Sequence, residues 1–360
     1  MKLRDMEIKK NKALEGKKIF LTGGTGSLGR AFLEAVLTGQ YGNPDFVTVF
    51  SRDEAKQFYL QADLDKNGSS SDSIIYKSWR NAVRFIIGDV RSLGSLKRAM
   101  HGHDTVIHAA ALKQVPSCEL FPIEAMKTNC IGASNVVTAV EEVGCIEKCI
   151  FISTDKAAKP TNAMGISKAL QEKIFIAANR IGGQTIFAGV RYGNVISSRG
   201  SVVPVFVDQI KRGEPITITD TKMTRFLLSL DEAVETIVAA ICCARSGDIV
   251  VPNARSAKIL DLISALTPNS NYPVEIIGVR PGEKLHEIMI GFEESLNLRK
   301  IERQDDYDQE FYIICSCLPH LGGDKKLKFF EGELSSENST MSVKEIRALL
   351  SANELAQSNK

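Results

Sequence analysis

Five residues in one short span carry most of the chemistry this chain can offer: Thr154, Asp155 and Lys156 in a row, then Met164 and Lys168. A hydroxyl, a carboxylate and two amines can exchange protons; a thioether cannot. An acid next to an amine suits a reaction that removes one proton and delivers another, and each such transfer is worth roughly 10²–10⁴ in rate. A lysine acts as base only when burial or nearby positive charge lowers its pKa. If residues 163–180 form a helix, Met164 and Lys168 share a face at i, i+4.

These residues need a scaffold that brings a strand end and a helix start together. The triplet follows the apolar run Cys149–Ile152. Similar short, continuous apolar runs occur at 18–21, 46–50, 83–87, 105–109 and 185–190, and they read as buried parallel strands. Helical patterns over 29–38, 93–100, 122–143 and 163–180 lie between them. The rhythm predicts an α/β fold, a doubly wound parallel (Rossmann) sheet in strand order 3-2-1-4-5-6, with a smaller C-terminal α/β substrate domain. The boundaries read as a loose charged arm over 1–16, a cofactor domain over 17–195 to which 230–255 returns, and a substrate domain from 196–229 and 256–360. A strand is expected over 248–251, and a last helix over 343–352, with Ser342 and Glu345 placed for a capping box.

The first strand runs into Thr22-Gly23-Gly24-Thr25-Gly26-Ser27-Leu28-Gly29. Gly23, Gly26 and Gly29 have the spacing of a dinucleotide-binding turn, in which backbone N–H groups approach a pyrophosphate at a helix N-terminus. Ser51 and Arg52 end the second strand and favour the 2′-phosphate of NADP; Asp53 is the alternative, an acid that would hold the 2′-hydroxyl of NAD. Asp89, before Val90, is placed either to accept from an adenine amino group or to close a turn. Ala109 and Ala110 allow a cofactor to lie near the backbone, and Lys113 follows as a contact to cofactor or substrate, or as a solvated lysine. Asn194 can bond a diphosphate. Arg225 and Arg280 are anion-binding candidates on separate loops, a pattern that suits a sugar-linked pyrophosphate.

The chain has 360 residues, 44% apolar and 24% charged, with net charge +2. Nothing in this balance draws the whole protein to nucleic acid or to an anionic membrane. No run approaches the roughly 20 apolar residues of a membrane span, and the first residues lack a signal peptide's apolar core, so a cytoplasmic protein is expected. Eight cysteines and five histidines lie without metal-ligand spacing, and no metal is expected. Cys315 and Cys317 would share one face if they lay on a strand.

Together these motifs resemble the UDP-N-acetylglucosamine 4,6-dehydratases of the extended short-chain dehydrogenase family, in particular the inverting enzymes of the pseudaminic acid and capsule type. The most specific stretches are 153–156 and 280–287. The resemblance implies bound NADP, UDP-N-acetylglucosamine as substrate, and a homo-oligomer, often a hexamer. It implies Asp155 as catalytic acid, Lys156 as base, and Thr154 and Lys168 as outer members, with Lys168 also on the nicotinamide ribose. It adds Val202, Pro204, Thr219 and Glu283 to the substrate contacts. Met164 stands where pseudaminic-type relatives carry tyrosine, and this leaves C5 inversion or retention open. The rivals are a UDP-hexose 4-epimerase, which has no use for the Asp155–Lys156 pair, and a non-catalytic sensor of cofactor and sugar nucleotide.

Overall fold

The structure is a computed structural model. It describes residues 10–67, 79–179, 183–198, 200–267, 272–278, 282–301, 309–318, 320–321, 332–338 and 340–353. Arg280, Arg199 and residues 1–9 of the expected arm lie outside the described residues.

Strands β1 (Lys18–Thr22), β2 (Phe46–Ser51), β3 (Val83–Ile87), β4 (Thr105–His108), β5 (Lys148–Thr154) and β6 (Ile186–Tyr192) are the expected runs. After them come β7 (Asn194–Val195), β8 (Ile216–Ile218), β9 (Thr224–Leu228), β10 (Ile249–Pro252), β11 (Ser256–Lys258) and β12 (Val274–Ile276). The last four are β13 (Ile288–Ile290), β14 (Leu298–Ile301), β15 (Phe311–Ile314) and β16 (Leu334–Ser335). The main sheet has nine strands in the order β14-β15-β10-β6-β5-β4-β1-β2-β3. Strands β1 to β6 therefore stand in the expected 3-2-1-4-5-6 order, all parallel, and β10 joins β6 in parallel.

Strands β14 and β15 correct the expected division of the chain. Residues 256–360 were assigned to the substrate domain, yet β15 pairs antiparallel with β10 and β14 with β15. Phe311, Ile313 and Leu298 are buried in the main core, and that burial places these short segments at the sheet edge despite their polar surroundings. The sheet strand stops at Ile314, so Cys315 and Cys317 are not strand neighbours. Over residues 10–16, its described part, the loose arm is corrected as well. Ala13 and Leu14 are buried, the Leu14 N–H donates to the Tyr41 carbonyl, and Lys10 pairs with the buried Glu235.

Helix Leu230–Cys243 returns beneath the sheet as expected; it starts in a capping box of Ser229 and Glu232 and is buried over most of its length. A second, smaller core joins Ile196, Val203 and Phe206 to Ile216, Leu227, Leu262 and Ile346. Its last helix, Val343–Ala352, has the expected Ser342–Glu345 box. The helix expected over 122–143 contains a π-helical stretch, Met126–Ile131. Within it Asn129 bonds both backbone groups of Leu112 and the Ser167 hydroxyl, tying the loop after β4 to the next helix. Among the described residues no helix is long and apolar enough to cross a membrane.

Candidate active site

The glycine turn is shaped by close contacts. Gly23 has φ +73°, and a Cβ there would sit 2.7 Å from the Ala110 nitrogen; at Gly29 it would lie 2.3 Å from the Gly24 carbonyl. Only glycine fits both places. Helix Ser27–Leu37 begins directly after Gly26 with no side-chain cap, an arrangement in which a helix N-terminus faces an anion. The Thr22 hydroxyl accepts from the Ala110 N–H (3.2 Å) and lies 2.9 Å from His108 Nδ1. Burial, reinforced by Lys168, drives the His108 pKa down to about 3, so the ring under the turn is neutral. The turn, with Thr25, Ser27, Leu28 and Ala109 around it, has the shape and donors that a dinucleotide requires.

Beside it the acids are already engaged. Asp53 accepts from the Lys56 N–H at the start of helix Glu54–Asn67 and pairs with the Lys56 ammonium, and these bonds lower its pKa. Asp89 is bound by the Arg91 side chain through both carboxylate oxygens and by the Arg91 N–H, again with a lowered pKa. Val90 is buried. Ser51 bonds Thr25 (3.2 Å), while the Arg52 side chain is 54% exposed and 3.9 Å from Asp89.

The Thr154–Lys156 turn meets helix Ala163–Ala177 at Gly165, where a Cβ would stand 2.5 Å from the Lys156 carbonyl. Asn162 caps this helix through the Gly165 N–H and also donates to the Gly282 carbonyl, docking a loop of the C-terminal segment onto the helix start. Asp155 is fully buried. Its Oδ1 accepts from the Thr154 hydroxyl (2.9 Å) and from Lys156 Nζ (3.0 Å); its Oδ2, also buried, has no partner. Lys156 Nζ reaches two more acceptors, Glu287 Oε1 at 3.3 Å and Asn194 Oδ1 at 3.5 Å.

This surrounding reverses the expected direction for Lys156. Burial opposes its charge, but the Asp155 and Glu287 carboxylates outweigh burial and the Arg225 cation and raise its pKa. At rest it is an ammonium, not a free base. Lys168 moves the other way: burial, partly countered by Glu172, brings it down to about 8. Its Nζ donates to the Ile152 carbonyl (2.5 Å) and to Gln171 (2.8 Å). Met164 is buried in a small apolar cluster with Cys118 and Ala125, so its side chain packs.

The remaining candidates lie farther out. Arg225 is buried and spends NH1 on the Thr224 and Leu285 carbonyls, holding the loop that carries Glu283, which lies 4.0 Å away. Val202 and Pro204 open helix Val202–Arg212 and Thr219 follows β8, all three half-buried beside the smaller core. Lys113 is exposed on the loop after β4.

Sequence reasoning passed over Glu287, Lys284 and a second ionic cluster. Arg191, at the end of β6, donates to both carboxylate oxygens of Glu172, to both of Glu294 and to the Met289 carbonyl. Ser153, adjacent to the triplet, donates to Glu172 (2.5 Å). The motif over 280–287 already contained Glu287, but nothing local marked it as facing Lys156. Among the described residues no His, Cys, Asp or Glu group could hold a metal.

Comparison with known proteins agrees with this architecture. The chain is 45% identical over 283 residues to a Campylobacter jejuni protein named UDP-N-acetylglucosamine 4,6-dehydratase (inverting), covering 78% of this chain and 79% of that one. It is 39% identical over 339 residues to a Rickettsia conorii protein named UDP-glucose 4-epimerase, covering 93% and 95%. The X-ray structure of Pen from Bacillus thuringiensis superposes with a TM-score of 0.81 at 33% identity, covering 94% of this chain and 99% of that one. Residues 19–307 match the family described as polysaccharide biosynthesis protein, and the chain belongs to it.

Proposed function

We propose that this protein is a UDP-N-acetylglucosamine 4,6-dehydratase that uses NADP. The observation that carries the reading is the ion pair between buried Asp155 and half-buried Lys156, with one Asp155 oxygen uncommitted. The relatives named as inverting dehydratases support the substrate. The chemistry supplied by the bound cofactor is reversible redox on the sugar: oxidation at C4 and reduction at C6.

The side chains move the protons. Met164 has none to exchange, so the C4 hydroxyl proton falls to Asp155 Oδ2. Asp155, once neutral, is the acid that protonates the departing C6 hydroxyl. While Asp155 holds the C4 proton, Lys156 faces one carboxylate fewer, releases its own proton to solvent more readily, and takes the C5 proton that the 4-ketone has acidified. As C6 is reduced a proton returns to C5, from the Lys156 ammonium if C5 is retained and from the opposite face if it is inverted. Thr154 orients Asp155 through Oδ1, and Lys168, four residues after Met164 in helix Ala163–Ala177, is assigned to the nicotinamide ribose.

For NADP over NAD, the support is charge. Asp53 and Asp89 are each held by a cation of their own, while Arg52 stands largely exposed beside Ser51. Arg52→Asp should weaken NADP binding by at least about tenfold and leave NAD binding the same or stronger, as read by fluorescence titration. Exposed Leu120, Phe121, Ile123, Ile166 and Leu170 on neighbouring helices support self-association.

Incubation with UDP-N-acetylglucosamine and mass spectrometry tests the activity. A product lighter by one water is expected. The Rickettsia relatives' name favours a second reading, 4-epimerisation, which gives an isomer of unchanged mass. Proton NMR of the product in deuterated water distinguishes C5 inversion from retention.

A further inference from the structure

Glu287 is 2% exposed and lies far from the triplet in sequence, yet its Oε1 is 3.3 Å from Lys156 Nζ. Its backbone is clamped on both sides: its N–H donates to the Ser336 hydroxyl (2.9 Å), and its carbonyl accepts from the Ser336 N–H (2.8 Å). Ser336 is itself held by the Thr224 hydroxyl (2.6 Å). A buried carboxylate fixed this firmly is preorganised. Its second oxygen, Oε2, has no hydrogen-bond partner; Lys284 Nζ is 3.9 Å away and likewise lacks one. Two unsatisfied buried polar atoms side by side are costly and do not suit a purely structural ion pair.

We propose that Glu287 is a positioning residue for the acid–base pair: reaching in from the C-terminal segment, it aligns Lys156 and keeps it charged until Asp155 has taken a proton. The inference rests on the dehydratase reading for its timing, but not for the contact itself. The charged groups facing Lys156 are Asp155 from its own turn, Glu287 and Lys284 from residues 282–290, and Arg225 from β9; Asn194 contributes a neutral acceptor. Of these, Asp155 and Glu287 favour the ammonium and Arg225 opposes it. Removing the Glu287 charge therefore lowers the pH at which Lys156 becomes a base. Removing Lys284 strengthens the hold of Glu287 and raises it.

The experiment compares wild type, Glu287→Gln, Glu287→Asp and Lys284→Met as full-length protein. Turnover is followed from acid to alkaline pH by mass loss. The Lys156 titration is followed by side-chain NMR of the protein alone, assigned by the signal missing in Lys156→Arg. In Glu287→Gln both the acid limb of the rate profile and the Lys156 titration should move down by about one to three pH units, the range expected for loss of a neighbouring opposite charge. Glu287→Asp should restore part of the shift, and Lys284→Met should move both upward. A lower plateau rate with an unmoved limb and an unmoved titration overturns the proposal. If Glu287→Gln does not fold, an unmoved titration in Lys284→Met overturns it equally. A titration that shifts in a protein yielding no dehydrated product sinks the functional reading and leaves the contact standing.

Discussion

Two buried ionic clusters sit at the ends of neighbouring parallel strands, and they are built on opposite plans. Around Arg191 every guanidinium N–H has an acceptor, and both carboxylates of the cluster are gripped at two oxygens. Around Lys156 the accounts stay open: Asp155 Oδ2, Glu287 Oε2 and Lys284 Nζ are buried and unmatched. A saturated cluster has nothing left to give a substrate, so it fixes geometry. An unsaturated one keeps hydrogen-bonding capacity in reserve at a free-energy cost, as reacting groups must. The two are joined through Ser153, whose hydroxyl bonds Glu172 one residue before Thr154.

The contrast can be broken by exchanging either cation for methionine. Lys156→Met should cut turnover per folded molecule by roughly 10²–10⁴, measured as dehydrated product. Near-normal turnover would remove the reactive cluster from the chemistry. Arg191→Met should instead lose about 3–5 kcal/mol of stability in urea denaturation, because it strands the buried Glu172 carboxylate and the half-buried Glu294. Lys156→Met should lose less, since the Lys156 side chain is 20% exposed and that of Arg191 1%. Equal stability losses would erase the distinction. Met164→Leu sharpens it from the neutral side: a volume-conserving swap should cost under about 1.5 kcal/mol and leave turnover within a few-fold of wild type, as expected of a residue that only packs beside Cys118 and Ala125.

Much of this was legible in sequence for a physical reason. Strands covered on both faces are continuous apolar runs, so β1 to β6 and their order could be read directly. The glycine turn, the triplet and Lys168 are local patterns attached to those strand ends. What stayed hidden is long-range. Strand β14 carries Arg299 and Lys300 between two apolar residues, and its place at the sheet edge comes from pairing with β15. Glu287 meets Lys156 only because Asn162 and Arg225 dock its loop. The raised Lys156 pKa comes from Asp155 first and from that Glu287 contact second, so the local reading, which weighed burial and positive neighbours over the adjacent carboxylate, gave the opposite sign. Asp53 and Asp89 were visible as acids, but not the partners that occupy them.

Gly193 lies between the two clusters, and a Cβ there would fall 2.5 Å from the Phe226 Cβ and 3.2 Å from Asp155 Oδ2. Randomising this codon and selecting for active clones should return glycine alone. Even alanine would press on the uncovered oxygen of Asp155, which makes a residue without a side chain as decisive for this catalyst as any that carries a charge.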